Sequence, residues 1–348
     1  MKASVIRLMV VWSLSARVFG GEVIFDTPSD DRWHYPFNFT PGSRAFASCF
    51  GSTGDATYST FNDRDGIFLI AWRTADHVCT ALPPGAYDLR SVQVTLTASQ
   101  SADWIVDLTT DPWYNLDYPI TDSDPGQPLE LFGVGFGPTY TYSTWLETSP
   151  FVGGDQKKYS PRDPFPFVFS TNTFTPLHVE DSVSDQFTPT PWAIGVPQGS
   201  LGNHDSPVPV HFEIDLDLSN GSVRRYFQEQ LSGGRILVAT TSLTVTTKQA
   251  PAGFPVFYTK EGAAADPEGH APILTLTLIP SADLDGSESR DLADWRALTR
   301  CLSGPDLLPL PNVPLTPATC LCVFDLDEDH DVDLEDAGLF AIQFDGND

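Results

Sequence analysis

Proline and glycine interrupt this chain so often that long helices are ruled out over most of it. Thirty prolines and twenty-six glycines are spread through 348 residues. Proline removes a helical hydrogen bond and clashes with the preceding turn, and glycine gives up more backbone entropy than any other residue. Between these breaks stand short runs rich in Val, Ile, Leu, Thr and aromatic residues. They are DGIFLIAW (65–72), SVQVTLTAS (91–99), ADWIVDLT (102–109), VHFEIDLDL (210–218), GRILVATTSLTV (234–245) and PILTLTLI (272–279). Several alternate apolar and polar side chains, as half-buried strands do. LPPGAYD, DSDPGQP, SPRDPFP, GNHDSPVP and SNGS supply turns between them. The reading is mainly β, a jelly-roll-like sandwich of two antiparallel sheets over residues 21–280. One short helix is expected in GSVRRYFQEQLSGG (221–234), with Ser222 as its cap, Gly233 as its end, and Val223, Tyr226, Phe227 and Leu231 on its apolar side. The stretch from about 111 to 205 is Pro-rich, aromatic and weak in strand signals, so it reads as long ordered loops.

The start of the chain has the layout of a secretory signal peptide. Lys2 and Arg7 precede and enter a short apolar run, and Val18 and Gly20 supply small residues before a cut at Gly21. No later run approaches the length of a membrane span. The mature protein is therefore expected to be exported, to the outside or the cell surface, where its five cysteines can pair. Cys49 and Cys79 lie in one region and Cys301, Cys320 and Cys322 in another. Two disulfides and one leftover thiol are the simplest outcome, with Cys301 joined to either Cys320 or Cys322. Three cysteines without a matched histidine are a poor zinc set. A net charge of −27 argues against a nucleic-acid partner, because a phosphate backbone wants a basic face.

The 21–280 body offers no catalytic constellation. GVGFGP (133–138) is read as a glycine-rich strand or turn, since no strand-then-helix context or lysine makes it a phosphate loop. His178, Glu180 and Asp181, like His204 and Asp205, read as exposed loop polars. Glu213, Asp215 and Asp217 alternate on one strand and read as a solvated face, not the facing pair that glycoside cleavage needs. Aromatics are more suggestive: Trp104, Trp113, Tyr114, Tyr118, Tyr140, Tyr142 and Trp145 gather between 104 and 145. Exposed Trp and Tyr faces stack on sugar rings, which makes Trp113, Tyr142 and Trp145 the candidate ligand-binding residues. Burial in a large sandwich is the competing fate for such rings.

The C-terminal region is different in kind. Residues 281–348 hold 16 acidic residues against 3 arginines, a net of −13 and about half the excess of the whole chain. DLDEDHDVDLED (325–336) puts Asp325, Asp327, Asp329, Asp331, Asp333 and Asp336 at positions 1, 3, 5, 7, 9 and 12. A calcium loop offers side-chain oxygens from positions 1, 3, 5, 9 and 12 and a backbone carbonyl from 7. Val332 at position 8 is the apolar residue that lets such loops pair through a short β-bridge. DLDGSESRDLAD (283–294) repeats the order 42 residues earlier, with Asp283, Asp285, Ser287, Ser289, Asp291 and Asp294 at the same positions. AGLFAIQF and WRALTRCL then leave the two loops as helices. Without a cation these carboxylates repel one another; with one they are neutralised and the loop is ordered.

Tandem loops that each end in Asp and lead into a short helix resemble the bacterial type I dockerin module. The resemblance covers residues 281–348 and implies two Ca2+ sites built from the twelve residues just named, and folding that depends on the ion. It also implies docking onto a partner, a cohesin-like or other cell-surface protein, with polysaccharide-degrading enzymes as frequent passengers. The loops depart from the pattern in places. Glu288 and His330 replace the usual glycine at position 6 and must accept a strained turn. Arg290 stands at position 8 of the first loop, Leu292-Ala293 and Leu334-Glu335 replace the usual Ser/Thr pair, and the linker 302–322 is long and proline-rich. The first site has one carboxylate fewer and should bind more weakly. The expected chain thus has three parts: signal peptide 1–20, β-sandwich body 21–280 and dockerin-like calcium module 281–348. Its expected function is that of a secreted, non-catalytic binding or structural protein with carbohydrate as the body's leading ligand class. A polysaccharide-active hydrolase carried by the same tail is the alternative.

Overall fold

The structure is a computed structural model and describes residues 21–51, 66–99, 104–111, 126–153, 162–170, 172–173, 175–182, 187–198, 207–244 and 253–345. The expected signal peptide, residues 1–20, lies outside the described residues. The strands are β1 (Gly21–Phe25), β2 (Asp30–His34), β3 (Phe46–Ser48), β4 (Ile67–Arg73), β5 (Tyr87–Ala98), β6 (Val106–Asp107), β7 (Gln127–Gly135) and β8 (Phe165–Phe169). They continue as β9 (Pro176–His178), β10 (Ala193–Ile194), β11 (Val196–Pro197), β12 (Val208–Glu213), β13 (Arg235–Ser242), β14 (Val256–Tyr258) and β15 (Ile273–Pro280). The helices are α1 (Ser222–Gly233), α2 (Lys260–Ala265), α3 (Leu292–Cys301), α4 (Pro317–Phe324) and α5 (Leu334–Gln343).

Two sheets pack face to face, and their sequences show which is wet. The seven-stranded sheet runs β1-β15-β5-β12-β11, with β14 also on β5 and β3 at the edge on β14. In β15 and β12 buried residues alternate with half-buried or exposed ones, so one face meets solvent. The eight-stranded sheet runs β2-β4-β13-β7-β8-β9, with β6 and β10 added on β7. There β4 is buried from Ile67 to Trp72 and β13 from Ile236 to Ser242. Both faces of that sheet are covered. Phe68, Ile70, Trp72 and Val238 enter the main core against Val94, Leu96, Phe212 and Leu276 of the other sheet. Ile67, Leu69, Ala71, Leu237 and Ala239 instead form a second cluster beneath Trp145. Continuous apolar runs such as IFLIAW follow from this double burial.

The expected β-sandwich body is therefore present, but the 111–205 stretch is not simply loops. It holds β7 to β11, and β7 is internal, pairing with both β13 and β8. Its strand signal is masked by glycine, and the glycines are there for space. A Cβ on Gly133 would lie 2.1 Å from the Trp192 ring, and one on Gly135 2.6 Å from the Phe165 ring. GVG is thus part of a strand, as the sequence suggested. Helix α1 forms where expected and buries Val223, Tyr226, Phe227 and Leu231. Its boundaries shift by one: Gly221 (φ 77°) is the N-cap and Gly234 (φ 79°) the C-cap, while the Ser222 hydroxyl donates to the Ser219 carbonyl.

The C-terminal helices are built into the body. The main core runs on without a break through Ala282, Leu298, Val323, Phe324, Val332 and Phe340. Disulfides join Cys301 to Cys320 and Cys79 to Cys322, and Cys49 is a buried free thiol. Two bridges and one thiol were expected. That one bridge would cross between the two regions was not, because pairing is decided by tertiary proximity. No helix among the described residues is long and apolar enough to cross a membrane.

Candidate metal centre

Each acidic loop grows out of a rigid element and ends as a helix cap. The first follows β15 directly, and the second follows α4. Asp291 caps α3 and Asp333 caps α5, each in a capping box closed by the acid three residues on, Asp294 or Asp336. Positions 9 and 12 are therefore fixed by helix formation itself.

Five amide-to-carboxylate bonds recur in the two loops at an offset of 42 residues. The amides of Leu284 and Leu326 donate to Oδ1 of Asp294 and Asp336, and those of Asp291 and Asp333 donate to Oδ2 of the same pair. Glu288 and His330 donate their amides to Oδ2 of Asp283 and Asp325. Backbone twist repeats as well. Gly286 and Glu328 at position 4, and Glu288 and His330 at position 6, all have positive φ, between 65° and 75°. The strain expected at position 6 is present in both copies. The helices meet through Trp295 and Phe340, whose ring centroids are 5.6 Å apart.

A pseudo-twofold relation follows from the same offset. Ser303, two residues past α3, donates its amide to the Val332 carbonyl at 2.9 Å; Asp345, two residues past α5, donates to the Arg290 carbonyl at 3.2 Å. These cross-bonds replace the expected bridge between the two position-8 residues. Val332 is buried as an apolar position should be. Arg290 instead turns its Nε to the Ser281 carbonyl and its guanidinium towards Asp88 of β5.

Carboxylates converge in both loops. Ligand atoms of Asp283, Asp285 and Asp294 lie within 4.8 Å of one another, as do those of Asp325, Asp327 and Asp336, and those of Asp331, Asp333 and Asp336. Oδ1 of Asp325 and Oδ1 of Asp331 are buried and accept no hydrogen bond among the described residues. Oδ1 of Asp283, by contrast, already takes the amides of Gly286 and Ser287. Ser287 and Ser289 face each other with their hydroxyl oxygens 3.1 Å apart, and Asp329 accepts the Asp331 amide. The second Asp331 oxygen binds the amide of Asp306 in the linker. Burial, followed by the charge of neighbouring acids, pushes Asp283 and Asp325 up to about 6. Asp294, Asp327, Asp331 and Asp336 are also raised, again chiefly by burial. The donor set is all oxygen, partly orphaned and electrostatically unfavourable alone, which fits a hard cation such as calcium.

The aromatic candidates fare differently. Trp145 is fully buried under the outer face of the eight-stranded sheet, with Arg235 against its ring, so it cannot stack on a sugar. Tyr142 is half-buried, and its hydroxyl donates to the carbonyls of Gln230 and Arg235. Both pack because residues 140–152 cover a sheet face that period-2 reasoning leaves open. Trp104 is buried, and Trp113, Tyr114, Tyr118, His204 and Asp205 lie outside the described residues. His178 stacks on Phe165 and Glu180 pairs with Arg162, both structural roles. Asp215 and Asp217 follow β12 in a turn, where Asp217 pairs with Arg224. One acidic group went unnoticed in the sequence. Asp31, Glu147 and Glu261 close around the Lys260 ammonium, and their separation in sequence left no local signal.

No protein-family profile, curated protein or solved structure matches this chain.

Proposed function

We propose that this chain is an exported, non-catalytic binding protein. In this reading, residues 281–345 take two calcium ions, one per loop, and attach the β-sandwich to a partner protein in the manner of a dockerin. The observation that carries it is the partnerless Oδ1 of Asp325 beside Asp327 and Asp336, in a loop whose backbone bonds recur in 283–294. A buried carboxylate oxygen without a donor is costly, and a cation with six to eight oxygen ligands would relieve it. Asp325, Asp327, Asp329, Asp333, Asp336 and the Asp331 carbonyl would hold the second ion. Asp283, Asp285, Ser287, Asp291, Asp294 and the Ser289 carbonyl would hold the first, more weakly, since amides already occupy Asp283. Bound calcium neutralises the acids and orders the loops. Two disulfides support an oxidising compartment. The body's own converging acids surround Lys260 instead of facing each other across a cleft, which favours a binding protein over a hydrolase.

Calorimetric titration of the chelator-stripped full chain with CaCl2 tests this. Two sites are expected, the tighter one lost in Asp325→Ala/Asp327→Ala, with calcium-dependent protection of amides in 281–345. Absence of heat and of protection at calcium on the order of 1 mM would refute it.

A further inference from the structure

The sandwich carries an aromatic cavity that no candidate residue named so far lines. It lies where β2 of one sheet passes the β3–β14 edge of the other and measures about 750 Å³, inside the usual range for small-ligand sites. Trp33, Phe46, Phe254 and Val256 supply its apolar wall, and Thr40, Ser43, Arg44 and Ser48 its polar one. The rings continue behind it: Tyr35 stacks on Trp33 at 4.8 Å and meets Phe50, which meets Phe254. Phe46 remains 40% exposed and Phe39 nearby 81% exposed, a large apolar area to leave in water.

One donor at this cavity is unspent. The Trp33 indole N–H, though without an acceptor among the described residues, is buried and does not face the cavity. Arg44 is held by one bond, Nε to the buried Asn38 side chain, with its guanidinium 5.9 Å from the Trp33 ring, and no carboxylate among the described residues pairs with it. A purely apolar ligand would leave the Arg44 guanidinium unanswered. The face of a pyranose ring offers C–H groups to the aromatics while its hydroxyls accept from Arg44. A chain of net charge −27 repels a polyanion. No acid stands among the described lining residues, so the carboxylate pair of glycoside cleavage is missing from them.

We infer that this cavity is a non-catalytic binding site for a neutral polysaccharide. Trp33 and Phe46 supply the aromatic surface, and Arg44 donates to sugar oxygens. The inference rests on reading the body as a saccharide-binding module and is independent of calcium at the tail.

Affinity electrophoresis of the calcium-loaded full chain through gels containing hydroxyethylcellulose, galactomannan or starch tests it, with polygalacturonate as the acidic control. At least one neutral polymer should retard the protein. Trp33→Ala should weaken that retardation by about tenfold or more, Phe46→Ala and Arg44→Gln should weaken it severalfold, and no sugar should be released. Phe46 and Arg44 are exposed, so their variants report on the site even if Trp33→Ala misfolds. Retardation that all three variants leave intact would refute this site while sparing the saccharide reading of the body. Retardation by no neutral polymer would overturn both, whatever the calcium titration shows. Retention by polygalacturonate alone would refute the neutral class.

Discussion

Replacing Asp325 by asparagine should change stability in opposite directions with and without calcium. The side chain is fully buried, its Oδ2 takes the His330 amide and its Oδ1 takes nothing. Burial holds the carboxyl at about 6, against 3.8 for a free aspartate. Ionising it in place at neutral pH therefore costs about 3 kcal/mol. An amide of the same shape keeps the acceptor for His330 and removes the charge. In chelator, Asp325→Asn should stabilise the protein by roughly 1–3 kcal/mol, or about 2–6 °C in melting temperature. With calcium at about 1,000 times its dissociation constant, the wild type gains about 4.1 kcal/mol from that site, which the variant forfeits. Differential scanning calorimetry in the two buffers should show the order of melting temperatures reverse. A variant that melts below the wild type in both would mean that the carboxylate is a structural cap and the ion argument is wrong.

The same physics sets a pH dependence. The folded carboxyls of Asp283 and Asp325 hold protons more tightly than the unfolded chain does, so the chelated protein should lose stability as pH rises from about 3.8 to about 6, and melting curves should show it. Lys260→Met leaves the fully buried Asp31 facing Glu147 and Glu261 with no cation, and should cost about 3–5 kcal/mol in urea denaturation. Gly133→Ala drives a methyl group into the Trp192 and Phe167 rings and should cost at least about 1–3 kcal/mol; a neutral result would show that β7 relaxes freely.

What could be read from the sequence depended on how local each determinant is. The twelve-residue loops stood out because their acidic residues recur along one contiguous segment. Helix α1 was legible from its apolar spacing, and β15 from alternation. Strand β7 was hidden because its glycines answer to the Trp192 and Phe165 rings, which are distant in sequence. The burial of Trp145 depends on residues 140–152 covering a sheet, and the Cys79–Cys322 link depends on where α4 docks; neither has a local signature. The cavity at Trp33 did have one. Trp33, Tyr35, Phe37 and Phe39 put an aromatic at every second position, a pattern outweighed by the denser cluster at 104–145.

The crosslink from Cys79 to Cys322 also decides how the molecule would carry a pull between its two ends. Tension entering at β1 reaches Cys79, crosses to Cys322 and leaves through α5. Residues 80–321 hang outside that path as a slack loop, and with them the 283–294 loop, most of the seven-stranded sheet and all but two strands of the face that packs on it. The 325–336 loop lies in series with the force. Of the two acidic loops, only the second would have to hold under traction, and it is the one with more carboxylates to grip the proposed ion.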